Sequence, residues 1–245
     1  MKQVLLCLVP TLLLLPGCMS SNQAAPKTAQ AYYQEGETLY SEGRYTEAIE
    51  VLEKAREIYE TADLNMRAEL KIADAHFEAE NYVEAATAYE DFLKQHPGHP
   101  EAPRIMYQLG LSHYNQILAI DRDQTATRNA MVAFESLANL FPDHPLAEKT
   151  PSFIQFCQDQ LAGHELYVGR FYWKTKENRA AIGRLRQILE DYPQFSEMDK
   201  VRFYLGKAYL AGGHPPLAVL QFEALLRDFP QSELAEDTQE ILQEL

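Results

Sequence analysis

The sequence is poor in what disulfide-stapled domains and most enzymes display. Of 245 residues, three are cysteine (Cys7, Cys18 and Cys157) and one is tryptophan. Three cysteines so far apart give neither a disulfide framework nor the close Cys/His spacing of a zinc site. Basic charge is also scarce: 22 Lys and Arg face 36 Asp and Glu, a formal charge of −14. Nucleic-acid binding rests on cationic contacts to phosphate, so the balance argues against that partner. Acidity otherwise favours solubility and turns away wrong partners. The apolar run from Val4 to Leu15, broken only by Pro10, is twelve residues long, short of the roughly twenty that cross a bilayer as a helix. No nucleophile elbow and no phosphate-cradling glycine loop occurs. His96 and His99 lie in a His-Pro-Gly-His-Pro turn without ligands at metal spacing, His76 and His113 share one interior helical position, and Asp121-Arg122-Asp123 lacks the glycine of a calcium loop. The expectation is no catalytic residue, no metal and no cofactor.

What the N-terminus does contain is an address. Lys2 precedes the short apolar run, and Leu15-Pro16-Gly17-Cys18 follows it, which resembles a bacterial lipoprotein signal. A small residue before the cut suits the peptidase, and the Cys18 thiol carries the diacylglycerol. Cys7 follows Leu5 and Leu6, where no small residue allows cleavage. Residues 1–17 are therefore read as signal peptide and 18–30 as lipidated Cys18 with a flexible tether. Eleven extended residues reach roughly 35–40 Å. Several acyl chains hold a protein where one holds it only marginally. Met19, rather than aspartate, follows the cysteine, and what is known of lipoprotein sorting then places the chain at the outer membrane, on its periplasmic face. Losing Lys2 with the signal moves the charge from −14 to −15. With Cys18 lipidated, Cys157 has no partner; its helical spacing with Ile154, Leu161, Val168 and Tyr172 makes it a buried core thiol.

The rest of the chain repeats. A small residue is followed by alanine twelve positions on, then a large apolar residue, then proline. The series reads Gly36…Ala48…Leu52…Glu60, with Glu60 where proline would stand; Ala73…Ala85…Tyr89…Pro97; Gly110…Ala130…Phe134…Pro142; Gly169…Ala181…Leu185…Pro193; and Gly206…Ala218…Phe222…Pro230. The third unit holds eight extra residues between glycine and alanine, assigned to 120–128 as a loop or lengthened hairpin. Small residues let two helices approach closely, large apolar ones fill the seam, and proline ends the second helix. This resembles the tetratricopeptide pattern, although the marks of the first three units, and of the last two, lie 37 residues apart rather than the usual 34. The fold class expected is all-α, a solenoid of five helical hairpins. The gap of 59 between Gly110 and Gly169 leaves room for a long helix over Pro151–Trp173, capped by Thr150. It divides repeats 1–3 (31–145) from repeats 4–5 and a C-terminal helix (146–245).

In such a solenoid the first helix of each hairpin lines a concave groove. The residue four past each small mark reads Tyr40, Phe77, Tyr114, Trp173 and Leu210, and Tyr33 and Tyr107 stand three before theirs. Tyr33, Tyr40, Phe77, Tyr107 and Tyr114 are candidates for a peptide groove, since rings bring large contact area at small entropy cost. The alternative is that they pack between adjacent first helices.

Met106-Tyr107-Gln108-Leu109-Gly110-Leu111, Asp121-Arg122-Asp123-Gln124 and Asp191-Tyr192-Pro193, together with the enlarged third repeat and the long helix, resemble the BamD family of outer-membrane β-barrel assembly lipoproteins (YfiO/ComL). The likeness spans the mature chain. One departure is Glu57-Ile58-Tyr59-Glu60-Thr61, where the family often has an Arg-Tyr-Pro-Phe-Gly type turn. The resemblance implies a non-enzymatic scaffold whose partners are the central β-barrel subunit with its periplasmic POTRA domains, other assembly lipoproteins and unfolded outer-membrane proteins, with a lipid anchor in the outer membrane. It also implies that the front half holds aromatic-ended client segments. In the back half, Arg184, at the family's spacing from Asp191-Tyr192-Pro193, would dock the central subunit. A repeat lipoprotein serving pilus or secretin assembly, a pilotin, is the competing reading.

Overall fold

The computed structural model describes residues 26–245, and Cys18 and the signal lie outside them. Among the described residues there are eleven α-helices, one short 3-10 turn at Ala147–Lys149, and no strand. In chain order the helices are α1 (Ala29–Ser41), α2 (Tyr45–Ile58), α3 (Ala62–Glu78), α4 (Tyr82–Gln95), α5 (Ala102–Tyr114), α6 (Thr125–Leu140), α7 (Thr150–Lys174), α8 (Asn178–Asp191), α9 (Met198–Ala211), α10 (Pro215–Asp228) and α11 (Ala235–Gln243). They pair as five hairpins, α1/α2 through α9/α10, with α11 closing the stack against α10. The chain is an all-α tetratricopeptide-type solenoid.

The small marks explain why the hairpins close. A methyl carbon built on Gly36 would lie 2.5 Å from Leu52 Cγ, on Gly110 2.6 Å from a Phe134 ring carbon, on Gly169 2.8 Å from Leu185, and on Gly206 2.5 Å from Phe222. Each is the large apolar residue of the same repeat, so the first helix lies directly on the seam side chain of the second. Ala73 and Tyr89, both fully buried, hold these places in the second repeat. The five alanine marks, Ala48, Ala85, Ala130, Ala181 and Ala218, have no exposed surface at all. Each repeat therefore needs its neighbour to complete a core, as expected of a solenoid. The first three repeats have separate apolar clusters around Leu52, Tyr89 and Phe134, and the last two share one running from Ala162 to Leu225.

Proline stands two residues beyond the end of α4, α6, α8 and α10. The residue before each, His96, Phe141, Tyr192 or Phe229, adopts φ near −130° with ψ near 57°, because the ring that follows excludes the helical well. Repeat one has no proline there and ends through a left-handed Tyr59 (φ 48°). Four of the hairpin turns also need one left-handed residue, supplied by Gly43 (φ 77°), Glu80 (61°), Lys176 (66°) and Gly213 (78°). Glycine adopts this conformation freely, whereas a residue with a Cβ is strained by about 1 kcal/mol or more. Lys176→Gly is expected to raise stability by about 0.5–1 kcal/mol, seen as a higher urea midpoint at unchanged slope. An unchanged or lower midpoint would show that the turn carries no such strain.

The third hairpin departs from the others as expected, but earlier in sequence: the extra residues lie in the connection 115–124, ahead of α6. This loop is fixed in place. Gln124, buried, donates from Nε2 to the carbonyls of Ala119 (3.0 Å) and Arg122 (3.1 Å) and accepts from Thr127 Oγ1 at 2.8 Å. His164 Nδ1 on α7 donates to the Ile120 carbonyl at 2.6 Å. The long helix is present as expected, but Thr150 is not its cap. Lys149 holds that position, and the Thr150 hydroxyl donates to the Ala147 carbonyl at 2.9 Å. The 3-10 turn before α7 already supplies the backbone geometry a cap would otherwise set.

Candidate functional site

First helices α1 and α3, and α7 and α9, pack directly on one another, and no two second helices approach to that extent. The stack therefore curves with its first helices inside, which puts the aromatic column on the inner face. Tyr40, Phe77, Tyr107 and Tyr114 are half-buried there. Tyr40 meets Tyr45 edge-on at 5.3 Å and Phe77 meets Tyr82 at 5.6 Å, each against the first residue of its own second helix. Tyr107 abuts Phe134 and Phe153, and Tyr114 abuts Phe153 and Phe156 at 5.0 and 5.1 Å. The column is thus a packed seam with one side left open, between the two alternatives the sequence allows. Tyr33 differs: it is 3 % exposed, and the Arg67 guanidinium of α3 sits 4.6 Å above its ring. Burial raises the Tyr33 phenol's pKa. Lys71 Nζ covers Tyr40 in the same way, at 4.8 Å. The Tyr40 phenol is pushed up to about 12, by burial first and then by the negative Asp74 and Glu78.

Beneath Tyr40 lies a polar knot that periodicity gives no hint of. Asp74, on α3, accepts from the Tyr89 hydroxyl of α4 at 2.7 Å and from Arg104 of α5 at 2.9 and 3.3 Å. Arg104 also holds Glu101 at 2.7 Å. Burial and then the adjacent carboxylate raise the Tyr89 pKa strongly; for Arg104 burial pulls the pKa down, but the hydrogen bonds to Asp74 more than offset it. The knot ties repeat two to repeat three across the inner face. Its members lie 15 and 30 residues apart, so no local spacing marks them.

The remaining candidates fall into place individually. Arg184 is exposed on α8, and its guanidinium is tied to Glu165 of α7 at 2.9 Å. Cys157 is fully buried, and burial lifts its thiol to about 11. His113 lies 3.4 Å from Glu90, and the buried Nδ1 of His76 has no protein partner. Burial lowers the His76 pKa. Among the described residues no group of three or more His, Cys, Asp or Glu is arranged to hold a metal. No described helix is long and apolar enough to cross a membrane.

A family model described as YfiO, outer membrane lipoprotein, matches residues 25–216. A Caulobacter vibrioides protein named outer membrane protein assembly factor BamD is 28% identical over 76% of the chain, and the match spans 61% of that relative's length. A Rickettsia prowazekii protein of the same name is 28% identical over 90% of the chain and 88% of its own. Among solved structures, a tetratricopeptide repeat protein from Parabacteroides merdae aligns over 89% of the chain and 85% of its own length, at 14% identity and a TM-score of 0.44.

Proposed function

Because the chain belongs to the YfiO family of outer membrane lipoproteins, we propose that it is a non-enzymatic scaffold of outer-membrane β-barrel assembly. Lipid on Cys18 holds it to the periplasmic face of the outer membrane. The half-open row Tyr40, Phe77, Tyr107 and Tyr114, with Tyr33 packed behind it, receives aromatic-bearing segments of unfolded outer-membrane proteins. Rings suit this work because they bury much area while freezing few torsions. The back half, from α7 onward, docks on a periplasmic POTRA domain of the central barrel subunit near Arg184, and other assembly lipoproteins join the complex. For Arg184 to reach a partner carboxylate it must share or leave Glu165. Arg184 is exposed but the Glu165 side chain is only 18% exposed, so sharing costs less than leaving that carboxylate unpaired.

The observation that carries this reading is the match to assembly-factor relatives over nearly the whole described chain. The test is a pulldown of the lipidated protein from detergent-solubilised membranes, combined with depletion in cells. A barrel protein bearing periplasmic domains should co-purify, mature porins should fall on depletion, and Cys18→Ala should move the protein to the soluble fraction. Intact porins with a missing secretin ring would overturn the reading in favour of a pilotin.

A further inference from the structure

The inner face changes character along the stack. The residue directly after each small mark reads Glu37, Asp74, Leu111, Arg170 and Lys207, so acid at the front gives way to base at the back. In the front half these carboxylates are engaged: Glu37 accepts from the Tyr33 hydroxyl, and Asp74 is the centre of the Arg104 knot. In the back half the cations at these two marks have no carboxylate partner among the described residues. Arg184, Lys200 and Arg202 are each paired with an acid, whereas among the described residues neither Arg170 nor Lys207 is.

Both of these cations are half-buried and lie on rings. The Arg170 guanidinium is 4.7 Å from the centre of Tyr204, and Lys207 Nζ is 4.9 Å from Trp173 and 5.0 Å from Phe203. Trp173 and Tyr204 meet each other at 5.4 Å across the α7–α9 seam. The four side chains form one row, two rings in contact with a cation at either end. Ring faces stabilise a cation only in part, and a partly desolvated cation without an anion retains an unmet electrostatic demand. In a chain carrying −14 overall, two such groups on one seam, at either end of the ring pair, are selective for negative charge. Beside them, Arg170, Tyr204 and Leu234 line an open cleft of about 560 Å³. The cleft itself also carries acids: Glu197 is paired with Lys200, Asp199 accepts from the Ser232 hydroxyl and keeps its charge, and Glu233 is a third, so a partner's carboxylates are directed to Arg170 and Lys207 and its apolar side chains to the rings.

We propose that the inner face of the last two hairpins is a second binding site, for an extended partner segment that carries carboxylates beside aromatic or aliphatic side chains. Arg170, held flat on Tyr204, presents its N–H edge to a carboxylate as a fork; Lys207 supplies the second charge, and Trp173 and Tyr204 take the apolar side chains. A peptide fits better than an anionic lipid surface, because the site lies in a seam between helices and the net charge of the whole chain opposes a flat anionic membrane. The proposal does not depend on the assembly reading.

Trp173 is the only tryptophan, so its emission reports on this site alone. The lipidated protein in detergent is titrated with a short Asp/Phe peptide, with its Lys/Phe twin, and with phosphatidylglycerol doped into the micelles. The Asp/Phe peptide should shift Trp173 emission saturably and the Lys/Phe twin should not. Affinity should fall as salt rises, and should fall about tenfold in each of Arg170→Gln and Lys207→Gln with helicity by circular dichroism unchanged. Equal response to both peptides, response to phosphatidylglycerol only, or unaltered affinity in both variants overturns the proposal. If a variant fails to fold, the twin-peptide and salt comparisons on the unsubstituted protein decide it.

Discussion

Gly110→Ala should destabilise the chain by about 2–3 kcal/mol, while Gly183→Ala, the same chemical change, should stabilise it by about 0.5–1 kcal/mol. The methyl carbon added at Gly110 would stand 2.6, 2.8 and 2.8 Å from three carbons of the Phe134 ring, far inside van der Waals contact. The clash could be relieved only if the ring moved. Phe134 is fully buried, stacks on Phe153 at 4.8 Å with planes 17° apart, and takes the edge of Tyr107, so displacing it disturbs the seam between α5, α6 and α7 together. Gly36→Ala should be costly for the same reason, because the nearest atom in its way is Leu52 Cγ at 2.5 Å, the branch point of a fully buried side chain. At Gly183, inside α8, nothing lies within 4 Å of the added carbon, and only the helix-propensity gain remains. Urea midpoints of the two variants read the contrast. Two shifts of the same sign would mean that the glycine marks do not work by close helix approach.

That contrast shows which parts of the structure the sequence could express. Close approach is required once per hairpin by the same pair of positions, so the demand is written five times at fixed phase, and the helices, their proline stops and the long α7 follow from it. Each of those features rests on neighbours within one repeat. The features that were not legible rest on a fold-back within one loop or on contacts between repeats. Gln124 looks like any loop glutamine until it is seen folded back onto the Ala119 and Arg122 carbonyls, and the docking of Ile120 on His164 joins residues 44 apart. The aromatic column was visible as a column, but the cations that cover its rings come from the next first helix: Arg67 for Tyr33, Lys71 for Tyr40, Lys207 for Trp173. Their register depends on how far adjacent hairpins are turned, which no periodicity encodes.

Asp74→Ala should be the most damaging polar substitution on the inner face, at a cost of about 3 kcal/mol. The loss comes from what the carboxylate leaves behind more than from its own bonds. Tyr89 is fully buried and would keep a hydroxyl with no acceptor. The Arg104 side chain, 33% exposed, would keep a charge largely withdrawn from water and held only by Glu101. Removing all three polar groups together should therefore be milder than removing one. Asp74→Leu combined with Arg104→Met and Tyr89→Phe should recover most of the stability, because apolar replacements of similar volume leave nothing unsatisfied. A cycle of Asp74→Ala, Arg104→Ala and the double variant should give a coupling of at least about 1 kcal/mol. Stability and binding should then separate. The triple variant would be folded but would have exchanged the rigid, directional link between repeats two and three for a softer apolar one, beneath Tyr40. If the row of rings receives peptide, its affinity for an aromatic client segment should fall even where the urea midpoint has returned. A triple variant that matched the parent in both respects would show the knot to be dispensable for the groove's shape.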